Sequence, residues 1–185
     1  MGPAQTNQRK TLWLTAALVL AVLSVSSGCG TGNNRAGQNA ADAVAPPVSF
    51  QTLDGHDVRL ADYRGKVVLL NFWGTWCGAC RSEIPELIDL QQRYQAKGFT
   101  VLGVAMRDQR SAVASFVSQR QFDLGGRTST MNYPVVMGNL SLEGTFGGFF
   151  GYPDTFIISR DGKIVAKGMG VIDEQSTSEV IKKLL

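Results

Sequence analysis

VVLLNFW, Val67 to Trp73, is an almost unbroken apolar run. A strand half-exposed to water would alternate, so this run predicts one covered on both faces. FTVLGVAM, Phe99 to Met106, repeats the pattern. Between the two runs, Cys80 to Gly98 carries Ile84, Leu87, Ile88 and Tyr94 at helical spacing, with Gly98 as its stop. Pro85 inside that segment lacks an N–H and predicts a kink. Ser111 to Phe122 predicts a second helix on the stripe Val113, Phe116 and Val117. Strand, helix, strand, helix in this order implies a parallel sheet with right-handed crossovers.

The flanking segments change period. Val48 to Leu53 and Asp57 to Leu60 alternate about the turn Asp54-Gly55 and predict a hairpin. Leu60 to Tyr63 predicts one helical turn. Residues 123–151 are Gly-rich and predicted irregular, with a short strand over Tyr133 to Met137. Asp154 to Ser159, the turn Asp161-Gly162 and Lys163 to Lys167 predict a second hairpin. Ser176 and Glu179 have capping-box spacing ahead of Val180, Ile181 and Leu184, which predicts a last helix. The pattern is one α/β domain, residues 46–185, with a mixed central sheet, flanking helices and an added N-terminal hairpin.

The remaining residues read as an address. Arg9-Lys10 precede the apolar stretch Thr11 to Val25, which is shorter than the about 20 residues a spanning helix needs. Small residues Ser26-Ser27-Gly28 then lead to Cys29. The pattern resembles a bacterial lipoprotein signal over residues 1–29, with Cys29 as the acylated residue, although Ser26 stands where that pattern prefers Leu. An uncleaved anchor and a plain secretory signal are the alternatives, and each of them exports the domain. Residues 30–45 hold almost no large apolar side chain and predict a flexible tether.

Charge adds little. Lys and Arg number 18 against 15 Asp and Glu; removing Arg9 and Lys10 leaves 16 against 15, a net +1. Basic residues are scattered, so no nucleic-acid footprint follows.

Cysteine usage says more. Apart from Cys29, only Cys77 and Cys80 remain. A cross-link over two intervening residues closes too small a loop to add much stability, which favours chemistry over stapling. A structural metal site needs four ligands, and the one histidine, His56, lies in the turn-like LDGHDV; no metal is expected. Thiol–disulfide exchange needs a thiolate. A helix N-terminus offers unpaired N–H groups and positive dipole, and lowers a thiol pKa to about 3.5–7.5. Cys77 follows the strand and Gly74, Thr75 and Trp76, at such a helix start. It is the expected attacking sulfur, with Cys80, one turn inward, as the resolving one. Glu83 shares the face of Cys80 and is placed to take its proton; complementing the helix dipole is the alternative role.

With these residues in view, LNFWGTWCGACRSEIPEL resembles the active-site segment of the thioredoxin superfamily, specifically its exported TlpA/ResA/CcmG-like branch. DGHDVRLADYRGKVVLLNFW is similar to that branch's hairpin and lead strand, and GYPDTFIISRDGKI to its cis-proline segment. The resemblance covers about Pro46 to Leu185. It implies a thioredoxin-like fold and a thiol–disulfide oxidoreductase whose only redox group is the Cys77–Cys80 disulfide. It makes Glu83 the active-site glutamate and places Trp76, Gly78, Ala79, Tyr152 and Pro153 at the substrate, with Tyr152 offering backbone hydrogen bonds. Asn71 stands where cytoplasmic thioredoxins carry a buried Asp. Gly74 replaces the usual Ala, a change expected to be harmless. Implied partners are protein disulfides, such as those of apocytochrome c or copper-site assembly proteins, and a membrane thiol reductant upstream. The implied location is the bacterial cell envelope.

Other readings stay open at this point. A dithiol oxidase would use the same residues. A peroxiredoxin-like peroxidase would place Pro and Thr ahead of a single Cys, whereas Trp73-Gly74 stand where that Pro would be. A copper-binding module would want a downstream His, and none follows Cys80. A non-catalytic binding module is the plainest alternative. LEGTFGGFFGYP does not match the family closely and either forms a partner groove or packs.

Overall fold

The computed structural model describes residues 43–185. The leader, Cys29 and all but the end of the expected tether lie outside the described residues. In chain order the elements are β1 (Ala43–Val44), β2 (Ser49–Thr52), β3 (Asp57–Arg59), a 3-10 turn (Leu60–Tyr63), β4 (Val67–Trp73) and α1 (Gly78–Tyr94). A second 3-10 turn (Gln95–Lys97), β5 (Phe99–Ala105), α2 (Arg110–Gln119), β6 (Phe122–Asp123), β7 (Thr128–Ser129) and β8 (Val135–Met137) follow. The chain closes with α3 (Ser141–Thr145), β9 (Asp154–Ile158), β10 (Lys163–Met169) and α4 (Glu174–Leu184).

Eight strands form one mixed sheet in the order β1-β10-β9-β4-β5-β8-β2-β3. β4, β5 and β8 run parallel, and the other neighbours are antiparallel. β6 and β7 make a separate two-stranded ribbon.

The unbroken apolar run of β4 has a direct cause. Val67, Leu69 and Trp73 pack with Ile84, Leu87 and Ile88 of α1, Val113 of α2 and Ile181 of α4 on one face. Val68, Leu70 and Phe72 pack with Phe50, Leu142, Phe146 and Phe156 on the other. Every residue of β4 is therefore buried, odd and even alike. α1 ends through its 3-10 turn at Gly98, whose φ of 87° is left-handed and suits glycine.

Several expectations are corrected. Ala43 and Val44, assigned to the tether, pair as an edge strand with Ile164 and Lys163 of β10, and Ala45 beside them is buried. α1 begins at Gly78 rather than Cys80 and runs as one helix through Pro85. α2 stops at Gln119, because Phe122 leaves the helix for the ribbon with Ser129. α4 is capped by Asp173, whose Oδ1 accepts from the Ser176 N–H at 2.8 Å, so its start lies earlier than a Ser176 cap would put it. The stretch 123–151 holds the expected short strand as β8 (Val135–Met137), but also β7 and α3, which were not expected. Among the described residues no helix is long and apolar enough to cross a membrane.

Candidate active site

β4 delivers the chain to the N-terminus of α1 through Gly74, Thr75 and Trp76. Cys77 is the N-cap of α1, with extended backbone (φ −85°, ψ 112°). Its Sγ accepts from the Cys80 N–H at 3.1 Å, so the sulfur occupies the place where a capping oxygen usually sits. Cys77 and Cys80 are joined as a disulfide, with Cα atoms 5.3 Å apart. Of the two, only Cys77 keeps any exposure, 7% against 0%.

Glu83 lies one turn beyond Cys80 and is wholly buried. Its Oε1 accepts from Asn71 Nδ2 at 2.8 Å and its Oε2 from the Ile172 N–H at 3.1 Å. Asn71 Nδ2 also donates to Thr155 Oγ1 at 3.0 Å. Two strands, β4 and β9, and the loop before α4 thus converge on one carboxyl of α1. Burial lifts that carboxyl to about 7, against the pull of the Ile172 and Asn71 donors, with Glu86 nearby pushing it further up. Asn71, where a thioredoxin has an acid, serves here as a donor to Glu83.

The opposite wall is the loop before β9. The Tyr152–Pro153 peptide is cis, and the Tyr152 carbonyl oxygen lies 3.6 Å from Cys77 Sγ. The Tyr152 ring meets Trp76 edge-on, with centroids 5.5 Å apart at 90°. Trp76 is half exposed, and Gly78 and Ala79 are exposed beside the disulfide. Each of the expected site residues among those described, Cys77, Cys80, Glu83, Trp76, Gly78, Ala79, Tyr152 and Pro153, falls in this region; Cys29 is outside the described residues.

Gly74 is not a neutral replacement. A Cβ there would lie 2.5 Å from Trp76 Nε1, so alanine would push the indole away. Glycine lets the ring fold back and donate from Nε1 to the Met106 carbonyl at 3.3 Å. The Phe-rich segment is largely packing. Phe146 is buried, Phe149 packs tilted against Phe72 with ring centroids 4.6 Å apart, and only Phe150 stands out in solvent, at 93% exposure.

Sequence reasoning missed three polar residues here. Asp108 Oδ2 accepts from both the N–H and the hydroxyl of Thr75, each at 2.7 Å. Arg107 grips Glu143 with two nitrogens, Nε at 2.9 Å and Nη2 at 3.0 Å, and the Tyr152 hydroxyl donates to Glu143 Oε1 at 2.6 Å. No spacing signal links residues so distant in the chain. Asp154, just after Pro153, is also buried, with Lys167 Nζ 3.5 Å from Oδ2, an ion-pair contact without hydrogen-bond geometry. Among the described residues no cluster of three or more His, Cys, Asp or Glu is placed to hold a metal.

A cysteine pair at a helix N-terminus, on this sheet and beside this proline loop, defines the class: a thioredoxin-fold thiol–disulfide oxidoreductase. The chain belongs to the AhpC/TSA family, which it matches over residues 37–167. It is 34% identical over 146 residues to the thiol-disulfide oxidoreductase ResA of Geobacillus thermodenitrificans, covering 79% of this chain and 76% of that protein. Its fold matches a thiol:disulfide interchange protein of the thioredoxin family from Chlorobium tepidum, with TM-score 0.65 and 30% identity over 77% of this chain and 96% of that one. It also matches a secreted thiol-disulfide isomerase from Corynebacterium glutamicum, with TM-score 0.64 and 27% identity over 76% and 84% of the two chains. The thioredoxin-like fold and the oxidoreductase class expected from the sequence therefore stand, and protein disulfides are its general substrates.

Proposed function

We propose that this protein is an exported reductase of partner-protein disulfides, working through Cys77 and Cys80 alone, without a further cofactor. In the reduced form the Cys77 thiolate, favoured by the α1 N-terminus, attacks one sulfur of the partner disulfide. A mixed disulfide forms and the partner's other sulfur leaves as a thiolate. The Cys80 thiol then gives its proton to the Glu83 carboxylate and attacks Cys77 Sγ. The Cys77–Cys80 disulfide closes and the partner departs with both thiols reduced. Two electrons have moved from the protein to the partner, and a membrane thiol reductant outside the chain returns them.

The single observation carrying this reading is the placement of Cys77. Its sulfur caps α1 and lies 3.6 Å from the Tyr152 carbonyl, while Cys80 and Glu83 are buried behind it. An extended partner segment laid along Tyr152 brings its own disulfide to Cys77, and Trp76, Gly78, Ala79 and Pro153 are the surfaces it meets. A Glu83 carboxyl held at about 7 by burial accepts and returns a proton near neutral pH. The leader and Cys29 support export and a lipid tether, and one structural relative is itself secreted. Apocytochrome c and copper-site assembly proteins are the partner types that the family resemblance favours.

The test is trapping. Cys80→Ser, expressed in the cell envelope, is expected to accumulate reducible covalent adducts with partner proteins, and Cys77→Ser none. Adducts through Cys80 instead would overturn the assigned order. Equilibration with glutathione sets the direction: a strongly oxidising potential would make the protein an oxidase of the same chemistry.

A further inference from the structure

The segment Met106–Asp108, just past β5, touches both walls of the cleft beside the disulfide. Met106 receives the Trp76 indole N–H on its carbonyl. Asp108 holds the backbone and hydroxyl of Thr75, two residues before Cys77. Arg107, between them, binds Glu143 in the middle of α3, and Glu143 accepts from the Tyr152 hydroxyl. Three consecutive residues thereby set Trp76 and Tyr152 at right angles to each other next to Cys77.

The backbone supports a built device. Arg107 has φ 52°, the one described non-glycine residue in the left-handed region. That conformation is unfavourable for an L residue and persists where the surroundings require it. It lets the side chains of Arg107 and Asp108 serve different walls. Arg107 is more than half exposed and Glu143 about one-fifth, so the ion pair itself adds little stability. Its two-point geometry fixes direction rather than energy. The Tyr152 hydroxyl, pushed up to about 12 by burial and by its bond to Glu143, stays a donor at every physiological pH.

We propose that Arg107 and Glu143 are positioning residues that determine which protein disulfides this protein accepts, by holding the Tyr152 ring against Trp76 as a rigid aromatic wall beside Cys77. The inference rests on the reductase reading above and extends it to recognition. A partner is selected for an extended segment with an apolar or aromatic side chain next to its reactive cysteine, because the wall offers two ring faces and a backbone carbonyl, and its one ion pair is already closed on itself. A small disulfide without flanking chain does not reach the wall.

The experiment compares two substrates on the full chain, recycled by a chemical dithiol. One is a short disulfide-linked peptide with a phenylalanine beside its cysteine; the other is hydroxyethyl disulfide. Glu143→Ala and Arg107→Ala are each expected to raise the peptide KM about five-fold, the scale of one ordinary net hydrogen bond. Both are expected to leave kcat, and the rate on hydroxyethyl disulfide, within about two-fold. The double variant is expected to match either single one, since both act through one clamp. Tyr152→Phe, which removes only the hydroxyl, reproduces the KM effect where an alanine variant folds poorly. Unchanged peptide KM, additive effects in the double variant, or equal losses on both substrates would overturn the clamp. If the unaltered protein reduces neither substrate, the reductase reading itself fails and the clamp falls with it.

Discussion

At the scale of single residues, Glu83 carries the most informative physics. It is a fully buried carboxyl held by two donors on different elements, and burial outweighs them to leave it near 7. An acid whose pKa is raised on folding stabilises the fold while protonated. That contribution is complete below its ordinary value of 4.5 and is lost as pH rises through about 7. The native protein is therefore expected to lose on the order of 3 kcal/mol between about pH 4 and about pH 8, relative to Glu83→Gln. Urea unfolding of both proteins across that window checks it, and a flat difference would show that Glu83 ionises as if exposed. The identities of Cys77, Cys80 and Glu83 were legible in the sequence because helical spacing and a strand-to-helix boundary are local properties. Asn71, Thr155 and the Ile172 N–H were not legible as partners, because they join from three other segments.

Among the elements, the packing of β5, β8 and the start of α3 shapes the floor beneath the aromatic wall. Gly138 follows β8 and donates its N–H to the Ala105 carbonyl at 2.8 Å. A Cβ there would lie 2.3 Å from Met106 Sδ and 2.7 Å from Val104 Cγ1, both residues fully buried. Val104 is β-branched and stiff, so the clash cannot be relieved by a rotamer change alone. Gly138→Ala is expected to destabilise the protein by about 1–3 kcal/mol, read as a lowered thermal midpoint. An unchanged midpoint would mean that α3 shifts freely against β5. The long strands and α1 were legible because apolar runs and 3.6-residue spacing extend over many residues. β1, β6, β7 and α3 were not, since two to five residues carry too little periodicity and are stabilised by their neighbours.

Taken as a whole, the chain carries a net charge of only +1 once residues 1–29 are set aside, and the one exposed cation gripping the cleft wall, Arg107, is already paired with Glu143. Long-range steering of partners has little to act on. The kcat/KM for a neutral peptide disulfide is expected to change less than about two-fold between about 0.05 and 0.5 M salt. A steep fall, measured by stopped-flow or coupled reduction, would point to charged docking instead. By itself the sequence determined the α/β layering, the position of the cysteine pair at a helix start and the glutamate behind it, because each depends on spacing within one element. Only the tertiary structure decided how Gly74 frees the Trp76 ring, and how Arg107, Asp108 and Glu143 set the cleft. Those hydrogen bonds join residues thirty or more positions apart, and folding the sheet is what brings them within reach.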